Sequence, residues 1–277
     1  MYGYAARNFV KKPQILLTND DGIQSPGLWT AAQSLSELGF VYVVAPRDQY
    51  SGAGRSFPIT SDGIIQPQSM HVNGKDWTVY AVGGTPAQVV LHAILEIMPE
   101  KPDLVVAGIN YGENLSSGVS ASGTIGAALE GASWGIPSMG ISLETESHYH
   151  LSYSEDIDFS VAGYFTAVFG QLLLEKKMPF DVDLLKIDVP SEAVRETPWE
   201  LTRLARKSYY EPIRPERESW DQPALAGYRE AGAPQDYPAG SDVHSLHVKR
   251  VVSVTPLSLD FTSRVDLEKL ERQLRGE

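Results

Sequence analysis

Apolar residues in the first half of this chain come in short continuous blocks rather than singly. Ile15 to Leu17, Val41 to Ala45, Leu104 to Ile109 and Ile136 to Ile141 are each bounded by turn-forming residues, the pattern of strands buried on both faces of a sheet. Between them, Leu28 to Leu38, Ala87 to Met98 and Gly126 to Trp134 read as helices. This succession predicts βαβ crossovers, and with them an α/β fold: a Rossmann-like, doubly wound, mostly parallel sheet whose strands end along one edge.

Other stretches depart from that pattern. Thr60 to Tyr80 has short alternations and an Asn73-Gly74 pair, which predict an inserted hairpin. Glu144 to Tyr153 is polar and irregular, and is followed by a predicted helix from about Asp156 to Lys176 and a strand at Leu184 to Val189. We divide the chain into an N-terminal extension (1–12), an α/β core (13–199) and a C-terminal arm with a terminal helix (200–277). In the last part Tyr209, Tyr210, Tyr228 and Tyr237 are spread among Pro, Gly and charges, Val248 to Thr255 reads as an antiparallel strand, and Leu267 to Leu274 as a short helix. Too little of it is apolar to hold a core alone, so it is expected to pack on the main domain or on another subunit.

With 277 residues, 42% of them hydrophobic, the chain can bury a substantial core. The 35 acidic against 23 basic residues give a net charge of −12, which opposes binding to polymeric nucleic acid or an anionic membrane. There is no cysteine, so disulfides, thiolate metal sites and a cysteine nucleophile are excluded and a reducing, cytoplasmic location is expected. Met1 to Lys12 lacks a signal-peptide core, and no segment approaches the roughly 20 apolar residues of a membrane span. A soluble, unprocessed protein is the expectation.

The candidate chemistry lies where the first strand stops. Ile15-Leu16-Leu17-Thr18 runs into Asn19-Asp20-Asp21-Gly22, placing two carboxylates at the strand edge where doubly wound sheets bind ligands. Adjacent acids there call for a cation, although Asp also suits turns and the cap of a helix starting near Pro26. Later strand ends add Ser51, within Arg47 to Ser56, then Asn110 at the head of Asn110-Tyr111-Gly112-Glu113-Asn114, then Ser122-Gly123-Thr124 before a helix. Singly these also read as a loop hydroxyl, a turn former and an ordinary N-cap; it is their recurrence at successive strand ends that points to a site. An all-oxygen set of Asp20, Asp21, Ser51 and Asn110 suits Mg²⁺ or Mn²⁺ over Zn²⁺. The helix N-terminus at Ser122, Gly123 and Thr124 suits a phosphate, with Asn110 and Asn114 beside it. Phosphoryl transfer to water is the reaction class that fits.

Several motifs then converge: Thr18 to Ile23, Ala45-Pro46, Ser51-Gly52, Gly84-Thr85-Pro86-Ala87, Pro102 to Val106, Gly108 to Asn114, Ser122-Gly123-Thr124, Gly135 to Ser138, and downstream Asp242 and Val254 to Leu257. In them the chain resembles the SurE survival-protein family of nucleoside-monophosphate phosphatases, over most of its length. The resemblance implies a divalent-metal-dependent phosphatase acting on 5′- or 3′-nucleotides, with metal positions matching Asp20, Asp21, Ser51 and Asn110. It also implies a homodimer or homotetramer in which a C-terminal arm is exchanged. Two positions depart from the family pattern: Gln88, where Asp is usual, and Ala121, where an aromatic residue commonly precedes Ser-Gly-Thr. Both bear on substrate preference.

Under this reading Asp20 or Asp21 orients or deprotonates a water for in-line attack, with an aspartyl-phosphate as the alternative. A rival from another class is a nucleotide or phosphate sensor that hydrolyses nothing, against which stands the presence of all four expected ligands. His148, His150, His244 and His247 are expected at the surface or an interface. Arg47 and Arg55 read either as groups that steer a phosphate or as ordinary solvated loop arginines, and Trp134 is expected to serve packing.

Overall fold

The structure, a computed structural model, describes residues 11–72, 74–150 and 153–276. Most of the expected N-terminal extension, and Asn73 of the expected turn, lie outside these residues. The strands are β1 (Gln14–Thr18), β2 (Phe40–Pro46), β3 (Ile65–Val72), β4 (Lys75–Val82), β5 (Leu104–Tyr111), β6 (Ser138–Leu143), β7 (Leu184–Val189), β8 (Trp199–Leu201), β9 (Tyr210–Ile213), β10 (Gly227–Glu230) and β11 (Val252–Leu257). Among the described residues nine of them form one sheet in the order β3-β4-β2-β1-β5-β6-β7-β11-β8. From β4 to β7 all neighbours are parallel. β3 closes one edge as the antiparallel partner of β4, the hairpin that the alternation predicted.

Both faces of this sheet are covered, which is why its strands read as unbroken apolar runs. Ile15 and Leu17 point to the face packed by α1 (Pro26–Leu35) and α4 (Ser160–Glu175), while Leu16 points to the face packed by α2 (Pro86–His92) and α3 (Gly123–Ser133). Pro26 sits at the start of α1, where its missing N–H is no loss, and the N-cap is Ser25. Asp20 and Asp21 therefore do not cap that helix. The helix expected to reach Met98 ends its α-helical part at His92 and continues as a π-helical turn over Ala93–Ile97.

Beyond residue 200 the chain returns to the main sheet. β11 runs antiparallel to β7, pairing Val254 with Ile187 and Ser253 with Asp188, and β8 lies parallel to β11. Val252 and Val254 are buried in the same cluster as Ile187, so residues on both sides of 200 build the core. Outside it, β9 and β10 form a two-stranded antiparallel ribbon, followed by α5 (Asp242–His247) and the exposed α6 (Leu267–Arg275). No helix among the described residues is long and apolar enough to cross a membrane.

Candidate functional site

The turn after β1 is locked by its own side chain. Asn19 Oδ1 accepts from the Gly22 amide at 3.1 Å and Asn19 Nδ2 donates to the Gly22 carbonyl at 3.0 Å, while Gly22 adopts φ +98°, a conformation that a side chain would strain. This holds Asp20 and Asp21 at the strand end with 5% and 2% of their surface exposed. The Asp20 carbonyl accepts from Tyr50 N at 2.8 Å, which brings the 47–56 loop and Ser51 alongside. Ser51 itself is exposed.

α3 approaches from the other side. A Cβ on Gly123 would lie 2.6 Å from Asp20 Cβ, and one on Gly126 would lie 2.2 Å from the Gly54 carbonyl oxygen, so glycine permits both close approaches. Gly54 N donates to the carbonyl of Ala121 at 2.9 Å, a backbone link that does not involve the Ala121 side chain. Thr124 Oγ1 donates to Asp20 Oδ1 at 2.5 Å, and the Thr124 and Gly123 amides also face that carboxylate. Ser122 Oγ is the N-cap, accepting from Ile125 N at 3.1 Å.

Asp21 accepts from the Tyr111 amide and from Gln49 Nε2, each at 3.3 Å. Asn110 donates its amide nitrogen to the carbonyls of Gly112 at 2.6 Å and Tyr111 at 3.2 Å, which leaves Oδ1 as the atom able to coordinate or accept. Asn114 is tied into the framework: its backbone N–H donates to Asp188 Oδ1 at 2.8 Å and its side chain to Ser142 Oγ at 2.9 Å. The structure thus gathers Asp20, Asp21, Asn110, Gly123 and Thr124 around one strand edge, with Ser51 on the adjoining loop.

Burial pushes the Asp20 carboxyl up from its ordinary range, opposed by the Thr124 hydroxyl and the Thr124 and Gly123 amides. It pushes Asp21 well up, and the neighbouring Asp20 charge adds to this. Two adjacent desolvated carboxylates favour a bound cation, since each alone resists holding its charge. Among the described residues no group of three or more His, Cys, Asp and Glu side chains is placed to hold a metal. The donors on hand at this edge are all oxygen, and they fit a hard divalent ion.

Other expected positions have other duties. Arg55 pairs with Glu130 at 2.7 Å, and Arg47 with Asp62 at 3.0 Å and Asp48 at 3.2 Å. Trp134 Nε1 donates to Glu130 Oε1 at 3.0 Å. Gln88 completes a capping box with Thr85 and donates to the Pro58 carbonyl at 3.0 Å, fastening α2 to the 56–61 segment. His148 is exposed, as expected for a surface group. His247 is largely covered, with Nδ1 3.0 Å from Glu144 Oε1 and Nε2 3.6 Å from Glu113 Oε1; those two carboxylates supply the charge that makes its partial burial tolerable.

Two groups that matter here had no distinct signal in the sequence. One is Gln49, which bridges Asp21 to the His150 carbonyl. The other is Lys186, fully buried on β7, hydrogen-bonded to Asp188 and 3.3 Å from Asp242 Oδ2. Burial pushes the Lys186 ammonium down, yet the two carboxylates hold it above its ordinary value; burial carries Asp188 up to about 6 despite that lysine. Asp242 in turn accepts from the Ser116 and Ala205 amides at 2.8 and 2.9 Å, tying the loop after Asn110 to the C-terminal region.

The family model described as Survival protein SurE matches residues 15–211, which include Asp20, Asp21, Ser51, Asn110 and Ser122 to Thr124. The chain belongs to the SurE family. It is 43% identical over 265 residues to the 5′-nucleotidase SurE of Thermococcus gammatolerans, covering 95% of this chain and 97% of that one. To the 5′-nucleotidase SurE of Methanosarcina barkeri it is 38% identical over 270 residues, covering 95% and 98%. Among solved structures, the SurE protein from Aquifex aeolicus superposes with a TM-score of 0.72 at 29% identity, covering 95% of this chain and all of that one.

Proposed function

We propose that this SurE-family chain is a divalent-metal-dependent phosphatase that hydrolyses nucleoside 5′-monophosphates, and their 3′ isomers as a second substrate class, to nucleoside and phosphate. The observation that carries the reading is the buried Asp20–Asp21 pair at the end of β1, abutted by the first turn of α3 and flanked by the end of β5, where the Tyr111 amide donates to Asp21 next to Asn110. Asp20, Asp21 and Asn110, with Ser51 from the adjoining loop, are the residues that would hold Mg²⁺ or Mn²⁺. When bound, such an ion supplies charge neutralisation for the phosphate and lowers the pKa of water.

The side chains divide the remaining work. Asp20 is fixed by Thr124 and by backbone amides, so it serves as the rigid member of the pair. Asp21 has longer hydrogen bonds, from Tyr111 N and Gln49, and is the carboxylate assigned to orient the attacking water and accept its proton. Amides at the start of α3, together with Asn110, face the phosphate oxygens as charge builds on them.

The arm is assigned to self-association as a homodimer or homotetramer. Trp220 and Leu225, in the link between β9 and β10, are 96% and 93% exposed, which marks an apolar tip suited to a second subunit. Phosphate release from nucleoside monophosphates, measured with Mg²⁺, Mn²⁺ and a chelator, tests the activity. Turnover that needs a divalent ion supports the proposal, and absence of turnover with either ion overturns it.

A further inference from the structure

Beside the carboxylate pair, two aromatic rings from distant parts of the chain lie edge to edge. Tyr228, on β10 of the arm, places its hydroxyl 2.9 Å from His150 Nδ1. The ring centroids are 6.3 Å apart and the planes differ by only 18°. A hydrogen bond through the ring edges together with near-parallel planes means that the two rings sit side by side, forming one flat surface. His150 Nε2 is 3.3 Å from the Thr145 carbonyl; a carbonyl only accepts, so Nε2 donates to it, and both ring nitrogens are engaged, Nδ1 with the Tyr228 hydroxyl.

This surface is fixed to the site from three directions. The imidazole fills the space beside Gly112, where a Cβ would come within 2.3 Å of Nε2 and where the backbone adopts φ +88°. The His150 carbonyl accepts from Gln49 Nε2, the same amide that donates to Asp21. Tyr210 meets the Tyr228 ring edge-on, at 5.2 Å and 72°, and its own hydroxyl donates to the buried Glu113 at 3.0 Å. Tyr228 is nevertheless 49% exposed. A braced, flat aromatic face, half-exposed and packed against Gly112, itself two residues along from Asn110, matches the shape and chemistry of a purine or pyrimidine ring.

We propose that Tyr228 and His150 form a stacking shelf for the nucleobase, making an arm residue a specificity determinant of the hydrolytic site. The substrate's identity in this inference rests on the nucleotidase reading. Stacking tolerates any base, since every base has a π face, so the shelf discriminates nucleotides from phosphate esters without a base rather than one base from another.

The test uses the full-length protein and two probes. Adenosine, which carries no phosphate, is titrated calorimetrically, and kcat/KM is measured for adenosine 5′-monophosphate and for ribose 5-phosphate. Tyr228→Ala is expected to weaken adenosine binding and to lower the nucleotide to ribose-phosphate ratio of kcat/KM, each about tenfold. His150→Ala should move both in the same direction, and Tyr228→Phe, which keeps the ring, should retain most of both. No adenosine binding by the parent protein, an unchanged ratio in Tyr228→Ala, or an equal loss in Tyr228→Phe would each overturn the shelf. Tyr228-dependent adenosine binding in a protein that hydrolyses no nucleotide would instead overturn the nucleotidase reading and leave the shelf standing.

Discussion

Thr124 donates its hydroxyl proton to Asp20 at 2.5 Å, joining the first turn of α3 to the end of β1. The helix N-terminus that the sequence offers to a phosphate thus already faces a carboxylate. Its partial positive charge offsets part of what Asp20 loses by burial, and the hydroxyl fixes the carboxylate's orientation. A phosphate arriving here would share the helix end with Asp20, and Asp20 and Asp21 would hold the cation that offsets the added negative charge.

Thr124→Val keeps the side chain's shape and removes only that donor. The expected result is a loss of about 10- to 100-fold in activity or metal affinity, the range for partners that orient a metal ligand. Thr124→Ser should restore most of it. A metal titration of activity across the three proteins checks both.

Asp20→Asn and Asp21→Asn are each expected to reduce phosphatase activity by about a hundredfold or more, above the range for such orienting partners. Asp21→Asn should also raise the melting temperature measured without added metal, because it removes a charge buried beside another carboxylate. Parent-like activity in either variant would remove these carboxylates from the site.

Gly126→Ala tests the contact between α3 and the loop carrying Ser51. The added methyl would meet the Gly54 carbonyl at 2.2 Å, and that oxygen belongs to backbone that cannot rotate away. Overpacking of this kind costs about 1–3 kcal/mol, so a lower melting point is expected. Activity should fall further than stability requires, because the displaced segment positions Ser51.

How much of this could be read in the sequence follows from the range of the interactions. Asp20 and Asp21 were visible because the Ile15 to Leu17 run ends on them, a local signal. α2 and α3 were visible from their apolar spacing, with Ser122 marking the start of α3; the Thr85 cap of α2 emerged only from the structure. β11 was visible as a strand, yet its place beside β7 was not, since Val254 pairs with Ile187 across most of the C-terminal region. β9 and β10 were hidden because Glu211 and Arg229 face each other on an exposed ribbon rather than forming an apolar run. Lys186 and Asp188 sit in a strand buried on both sides, and their mutual neutralisation with Asp242 depends on the start of α5 being brought beside Lys186 by the return of the C-terminal region.

His247 gives stability a pH dependence of known sign. Burial pushes its pKa down, but Glu113 and Glu144 outweigh this and carry it from 6.5 up to about 9. Arg250 shares Glu144, and the stacked Tyr209 ring stays neutral because burial pushes its hydroxyl well up. A folded pKa above the unfolded one stabilises fully below about pH 6.5 and ceases to as the pH rises through about 9. His247→Gln should therefore lower the melting temperature most near pH 6, with the difference from the parent shrinking towards pH 9.5. A constant difference across that range would mean that the histidine does not carry the charge.

The arm's role in assembly needs a cut that spares the core. Removing everything from residue 200 onward would also remove β11, exposing β7 and the cluster around Ile187, and should yield an aggregating protein whatever the arm does. Replacing residues 214–226, the link between β9 and β10, with a short turn takes away the exposed Trp220 and Leu225 but keeps Tyr210 and Tyr228 in register. The expected product folds, hydrolyses nucleotides and has a smaller mass by light scattering than the parent. An unchanged mass would show that this apolar tip is not the subunit contact, and loss of hydrolysis together with mass would show that the site needs the neighbouring subunit.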